Sequence, residues 1–227
     1  MDPDLYAYPT SERPWVRTNF VTTIDGSVTD EGGVSGSLGG EVDHQAFTIM
    51  RSLADVVLVG AGTTRAEGYG PIDPADLDSS LPAARVPQLA VVTRSLRVPQ
   101  PLCVPGVMVV TAADEDAPGV TVLREVGVEV LTGDGQKVDW PAVLGTWASR
   151  GLRRILCEGG PTLHGELISQ DLVDEICLTI APVLTTGGPA MTRHPTPAQL
   201  GFRLGHAVPQ DDVLLTRWVR DRPRGAR

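Results

Sequence analysis

With 227 residues, 41% of them hydrophobic, the chain is long enough to bury a core of its own, and the length is that of one domain. A formal net charge of −9 excludes a nucleic-acid surface, which needs a basic face. No run reaches the ~20 apolar residues of a membrane span, and MDPDLYAYPTSERP has neither the basic start nor the apolar stretch of a secretory leader, so a cytoplasmic protein off the membrane is expected.

Met1 to Pro14 is polar and broken by proline, which predicts an arm laid over the surface. Trp15 to Thr23 has β-branched and aromatic residues at strand density and ends at Ile24-Asp25-Gly26, a strong turn signal. Asp25 is there either to cap the turn with its own carboxylate or to act as an acid. Gly32 to Gly40 holds little but Gly and Ser and reads as a surface loop, in which Ser35 and Ser37 offer hydroxyls to a ligand. In Glu41 to Ala54 the residues Val42, Ala46, Ile49, Met50 and Leu53 fall at helical spacing, with acidic residues in the first turn. Arg51 lies near the end of that helix, where its dipole favours a cation.

Asp55 to Val59 is a continuous apolar run that fits a central strand buried on both faces. It feeds into Gly60-Ala61-Gly62-Thr63, where Gly60 and Gly62 permit close backbone approach to a ligand but no third glycine completes a dinucleotide fingerprint. Glu67 to Ala84 is a long Pro/Asp-rich loop of the kind that carries function. Leu89 to Val92 is a strand followed by Thr93-Arg94-Ser95, an arginine between two hydroxyls; it suits a 2′-phosphate, with a solvated loop arginine as the alternative. Val107 to Thr111 and Val128 to Leu131 are further strands, and Val120 to Val126 between them is ambiguous. Trp140 to Arg150 reads as a helix entered at Asp139, with Pro141 in its first turn.

Arg153 to Cys157 is a strand cut off by Glu158, Gly159 and Gly160, which puts Glu158 at its C-terminal lip. Pro161 fits the first position of a helix whose apolar face is Leu163, Leu167 and Ile168. The N–H groups of Thr162, Leu163 and His164 then point at a site suited to phosphate. Asp174 to Ala181 sets Ile176, Leu178 and Ile180 against Glu175, Cys177 and Thr179, predicting a half-buried strand. Phe202 to Ala207 and Val213 to Val219, separated by Pro209-Gln210-Asp211-Asp212, form a closing hairpin, and Arg220 to Arg227 is a short basic end. Cys103, Cys157 and Cys177 stand in apolar contexts as reduced core thiols, and the histidines have no metal-ligand spacing.

Strands alternating with helices, then consecutive strands, predict an α/β fold with a mostly parallel sheet and antiparallel C-terminal strands. The boundaries follow: residues 1–14 an arm, 15–220 the α/β domain, 221–227 a basic tail. The loops after Val59, Val92 and Cys157 all fall at C-terminal strand ends, the side on which such sheets bind ligands.

NFVTTIDGSV, MRSLADVVLVGAGTTRAE and CEGGPTLHGELISQDLVDEICLTIAPVL together resemble the reductase domain of the riboflavin-biosynthesis deaminase/reductase family, whose fold is the dihydrofolate-reductase-like three-layer sandwich. No His-x-Glu with Pro-Cys-x-x-Cys, the zinc signature of a deaminase half, is present, so the chain resembles a stand-alone reductase. The resemblance implies NADPH as cofactor, held at Val21, Ser37, Thr63, Glu67, the Thr93-Arg94-Ser95 turn and the run Gly160, Pro161, Thr162, Leu163, His164, Gly165, with Gly60, Gly62 and Gly159 in the same loops. It implies a small-molecule substrate, a ribosylaminopyrimidine phosphate, at Ser35, Arg51 and Glu158, and a homodimer. Glu158 and Asp25 are the catalytic candidates. The family's first-strand lysine is Asn19 here, and Pro71 and Pro74 stand at two positions that otherwise help hold the substrate phosphate. A dihydrofolate or pterin reductase, and a binding protein for NADPH or a flavin precursor without turnover, therefore stay open as alternatives.

Overall fold

The computed structural model describes residues 1–81, 85–196 and 199–222. The end of the loop expected over 67–84 and residues 223–227 of the expected basic tail lie outside them. Strands β1 (Trp15–Thr22), β2 (Val56–Gly60), β3 (Gln88–Val92), β4 (Met108–Val110), β5 (Glu129–Leu131), β6 (Arg154–Cys157), β7 (Glu175–Ile180), β8 (Phe202–Gln210) and β9 (Val213–Arg220) form one nine-stranded sheet in the order β5-β4-β3-β2-β6-β1-β7-β9-β8. Pairing is parallel from β5 to β7 and antiparallel at β9 and β8. Five α-helices, α1 (Gly40–Leu53), α2 (Ala61–Ala66), α3 (Pro118–Glu125), α4 (Trp140–Ser149) and α5 (Pro161–Ser169), connect the strands among the described residues.

A strand sends successive side chains to opposite faces, and in β2 both faces are apolar. Val57 and Val59 pack with Ile49 and Met50 of α1 and Val120 and Leu123 of α3, while Val56 and Leu58 pack with Trp147 of α4 and Leu163 and Leu167 of α5. The result is three layers, helix, sheet, helix. Each fully buried aliphatic side chain contributes about 1.5–3 kcal/mol, which is why the uninterrupted run from Val56 to Val59 takes the middle of the sheet.

One ambiguity is resolved and two expectations need correction. Residues 120–125 are helical and Val126 is the C-cap, because Pro118 opens α3 and its Val120 and Leu123 face the core. β8 runs on through Pro209 and Gln210, which is permitted because β8 is the sheet's edge strand, and the turn is made by Asp211 and Asp212 alone, both at positive φ. In β7 the polar residues Glu175, Cys177 and Thr179 are the more buried set, against half-buried Leu178 and Ile180. That polar face is covered by the N-terminal segment, whose Tyr6 shares a cluster with Cys177 and whose Tyr8 ring lies 3.9 Å from the Arg17 guanidinium. There Glu175 accepts hydrogen bonds from Arg17 Nε (2.6 Å), Arg217 Nη2 (2.9 Å) and Trp15 Nε1 (3.1 Å), and a charge supplied with those donors can be buried.

The parallel register sets the ends of β2, β3 and β6 side by side: Leu58 pairs with Cys157 and Gly60 with Val92. The loops that follow are thereby brought to one edge of the sheet.

Candidate active site

Where β2 and β6 end, two glycine loops lean on each other. Gly60 donates its N–H to the Gly159 carbonyl at 2.8 Å. Gly159 has φ +85°, and a Cβ there would stand 3.1 Å from the Phe20 ring; a Cβ on Gly160 would stand 2.7 Å from Thr63 Oγ1. Position 159 is therefore restricted to glycine, while a side chain at 160 would have to displace the Thr63 hydroxyl. α5 then starts at Pro161, its first turn directed at the same space. His164 donates its N–H to the Gly160 carbonyl at 3.0 Å, which removes it from the outward-facing set expected from the sequence.

Two cavities open on this edge. The first, about 510 Å³, lies among β1, α1, α2 and the loop after α2 and is lined by Val21, Ser35, Phe47, Arg51, Glu67, Tyr69 and Glu158 among others. The second, about 380 Å³, lies over the ends of β2 and β3 and beside α5, with Gly60, Thr93, Arg94, Lys137, Thr162, Leu163 and Glu166 in its walls. Gly62, Thr63, Gly160 and Pro161 belong to both, so the cavities form one groove across the glycine loops.

In the first cavity Glu158 is held from two sides. Arg51 donates Nε and Nη2 to its two oxygens at 2.7 and 2.8 Å, and the Tyr69 hydroxyl donates to Oε2 at 2.8 Å. Burial, and then the Glu158 charge, push the Tyr69 hydroxyl well above the usual phenol range, so it remains a donor. The Arg51 guanidinium also stacks over the Phe47 ring, 4.2 Å from its centroid. Across the cavity Glu67 accepts from the N–H and Oγ of Ser35 at 2.7 and 2.9 Å, tying the Gly/Ser loop to α2.

Other expected residues lie elsewhere. Asp25 is exposed and lines neither cavity; Thr23 Oγ1 and the Thr185 N–H donate to its carboxylate, holding it below the usual carboxylate range, so it caps the turn and is a poor proton donor. Ser37 turns to Asp30 at 2.6 Å rather than to the groove. Ser95 lies off both cavities, and Gly159 serves the packing of the loops. Gly165 is pressed on the Arg193 carbonyl, 2.3 Å from where a Cβ would stand. Tyr69, Lys137 and Glu166 were not singled out by the sequence. Tyr69 carried the faint signal of an aromatic between two glycines in a functional-type loop; the other two are ordinary turn and helix residues until the fold places them.

His164, expected on the cofactor side, is fully buried instead. Its Nδ1–H donates to the Met191 carbonyl at 3.1 Å, and Nε2 accepts from Thr18 Oγ1 at 3.4 Å. Burial pushes it down to about 4 from 6.5. The unfolded chain therefore binds a proton that the folded chain refuses as pH falls from 6.5 towards 4, and stability drops across that window by up to about 3 kcal/mol. Urea unfolding at about pH 7 and about pH 5, above the range where carboxylates dominate, is expected to show this loss in the wild type and a clearly smaller one in His164→Gln. An equal loss in both would remove His164 as its source.

The groove fits a dinucleotide by its own chemistry. One side offers a helix N-terminus and the cations Arg94 and Lys137, the other a buried Arg–Glu–Tyr cluster, and the glycine loops between them keep the backbone close. The burial of Cys157, which pushes its thiol up to about 12, removes it as a nucleophile beside Glu158. Comparison with known proteins agrees with a reductase fold. The 2,5-diamino-6-ribosylamino-4(3H)-pyrimidinone 5′-phosphate reductase of Archaeoglobus fulgidus is 31% identical over 186 residues, 77% of this chain and 83% of its own length. A solved structure of a pyrimidine reductase-like protein from Corynebacterium diphtheriae superposes with a TM-score of 0.80 at 25% identity, covering 92% of this chain and 93% of that one. Dihydrofolate reductase from Enterococcus faecalis, solved with NADP(H), shares the fold alone, with a TM-score of 0.50 at 14% identity over 92% of this chain and 97% of that one. Against longer relatives called riboflavin biosynthesis protein RibD, from Bacillus amyloliquefaciens and Actinobacillus pleuropneumoniae, the chain spans about half the length, 47% and 51%. The model of the RibD C-terminal domain matches residues 14–213, and with the sheet order, the glycine loops and the groove between them in place, the chain belongs to that family.

Proposed function

We propose that the protein is an NADPH-dependent reductase of a ribosylaminopyrimidine 5′-phosphate in riboflavin biosynthesis. The observation that carries this reading is the single groove, in which a phosphate-suited half and a half built on Glu158 meet over Gly62, Thr63, Gly160 and Pro161. When bound, NADPH would supply a hydride to C1′ of the ribosyl imine, with the proton for the imine nitrogen drawn from solvent, leaving an open ribityl chain. Thr162 and Leu163 offer backbone N–H groups to the pyrophosphate, and Arg94, beside Thr93, offers charge to the 2′-phosphate. Val21 and Phe20 give the nicotinamide an apolar wall, and Glu67, by fixing Ser35, keeps the Gly/Ser loop folded over it. Glu158 is oriented by Arg51 and Tyr69 to accept from the amino groups of the pyrimidine, so its role is to position the acceptor carbon rather than to donate the proton. The same reading includes the homodimer and the cytoplasmic location that the family resemblance and the unpaired cysteines imply.

A specific observation favours a second reading, a pterin such as dihydrofolate in place of the phosphorylated pyrimidine. Among the described residues, the first cavity is lined by Asp43, Glu67, Asp76 and Glu158 against Arg51 and His44, and Arg51 is committed to Glu158. No described arginine or lysine is left there for a substrate phosphate, a group that draws most of its affinity from such contacts. Loss of NADPH absorbance with the phosphorylated ribosylaminopyrimidine, its dephosphorylated form and dihydrofolate, offered in parallel, tests both. Turnover of the phosphorylated compound well above the other two is the expected result; turnover of dihydrofolate alone transfers the protein to pterin chemistry, and no turnover with any of them overturns the reductase reading.

A further inference from the structure

Lys137 is the only lysine in a chain that has eighteen arginines, and it lines the second cavity. Its backbone is fixed on three sides. The N–H donates to Asp134 Oδ1 at 2.9 Å, the carbonyl is packed against Gly133, where a Cβ would come within 2.3 Å of it, and the next side chain, Val138, is buried in the cluster that includes Trp140. The exposed ammonium is thus presented from a rigid base, and it forms no ion pair among the described residues. The carboxylate of its own turn, Asp134, accepts from the backbone N–H groups of Gln136 and Lys137.

Arg94, the other cation of this cavity, is placed differently. It is 78% exposed and faces Glu166 at 3.9 Å, a carboxylate held in position by Trp140 Nε1 at 2.8 Å. An incoming anion therefore meets an arginine that faces a carboxylate across the cavity, and a lysine in no ion pair among the described residues, its charge felt by the exposed Asp134 carboxylate of its own turn. Position along the groove narrows the ligand group further. Gly62, Thr63, Gly160 and Pro161 mark the middle because both cavities share them, whereas Lys137 belongs to the second cavity alone, with Thr93, Arg94 and Ala112. That is the end away from Glu158, where the adenosine half of a dinucleotide lies if the reacting half meets the substrate.

We propose that Lys137 is a specificity-determining residue for the cofactor, its ammonium receiving, together with Arg94, the phosphate on the adenosine ribose and so separating NADPH from NADH. This rests on the reductase reading above. A lysine ammonium serves as a compact point charge for phosphate, whereas an unphosphorylated ribose gives it nothing to pair with.

Because the chain has one lysine, amine acetylation followed by peptide mass spectrometry reads this ammonium directly. NADP+ and adenosine 2′-monophosphate are expected to slow acetylation of Lys137, while NAD+ and adenosine 5′-monophosphate at matched occupancy leave it unchanged. In calorimetric titrations Lys137→Gln is expected to bind NADP+ about tenfold more weakly, the low end for a charge-assisted contact at an exposed position, and NAD+ as the wild type does. Equal protection by NAD+, or a variant that keeps the wild-type preference, overturns the assignment while the reductase reading stands. A wild-type chain that binds neither nucleotide overturns both.

Discussion

Replacing Arg51 by methionine is expected to lower the unfolding free energy by about 3–5 kcal/mol, the cost of stranding a buried carboxylate, and to remove turnover. The Arg51 and Glu158 side chains are 11% and 3% exposed, and two of the three hydrogen bonds to the Glu158 carboxylate come from Arg51. Methionine keeps an unbranched, polarizable chain against the Phe47 and Tyr69 rings, so the loss reports on charge more than on packing. Adding Glu158→Gln removes the stranded charge and leaves a side chain that still accepts from Tyr69. The double variant is therefore expected to recover more than half of the lost stability in urea unfolding, yet to stay at least about a hundredfold down in kcat/KM, because the oriented carboxylate is gone. Near-normal turnover in the double variant would make the pair a strut between α1 and β6 and nothing more.

The second large effect belongs to Gly160. It lies at φ −78° and ψ −169°, extended backbone open to any residue, so the folded chain should tolerate a side chain there as far as its main chain is concerned. What it does not tolerate is occupation of the space: a Cβ already reaches within 2.7 Å of Thr63 Oγ1, and the branches of a valine would fill the place where the two cavities meet. Gly160→Val is expected to weaken NADPH binding by at least about thirtyfold, about 2 kcal/mol, while shifting the unfolding midpoint little. Fluorescence titration with NADPH alongside thermal unfolding without it separates the two quantities. Unchanged NADPH affinity in a folded variant would show that no ligand crosses the glycine loops.

These two sites differ in how much of them could be read in advance. The Glu158-Gly159-Gly160-Pro161 run is local: a strand stopped by a carboxylate, two residues free of a Cβ and a helix-opening proline are each interpretable by position, and so the phosphate-suited loop was legible. The bond between Glu158 and Arg51 is not local. The residues are 107 positions apart, and Arg51 had an adequate local explanation as the cation at its helix's C-terminal end. His164 shows the converse error. Its neighbours line the groove, but a helix turns by about 100° per residue, so His164 faces inward to Thr18 and Met191.

The sequence by itself determined the α/β alternation, the parallel sheet with its antiparallel end, and the three loops at strand C-termini, because these follow from periods of two and 3.6 residues and from glycine and proline chemistry within a few positions. Only the tertiary structure decided that Tyr69 and Arg51 share one carboxylate, that Asp25 caps its turn away from the groove, that Glu175 is a buried hub rather than a solvent-facing residue, and that Lys137 stands over the second cavity. Each of these depends on strand order, which brings β6 between β2 and β1 and β7 between β1 and β9. Strand order is set by the burial of whole faces against one another, a property of the assembled layers that no short window of sequence contains.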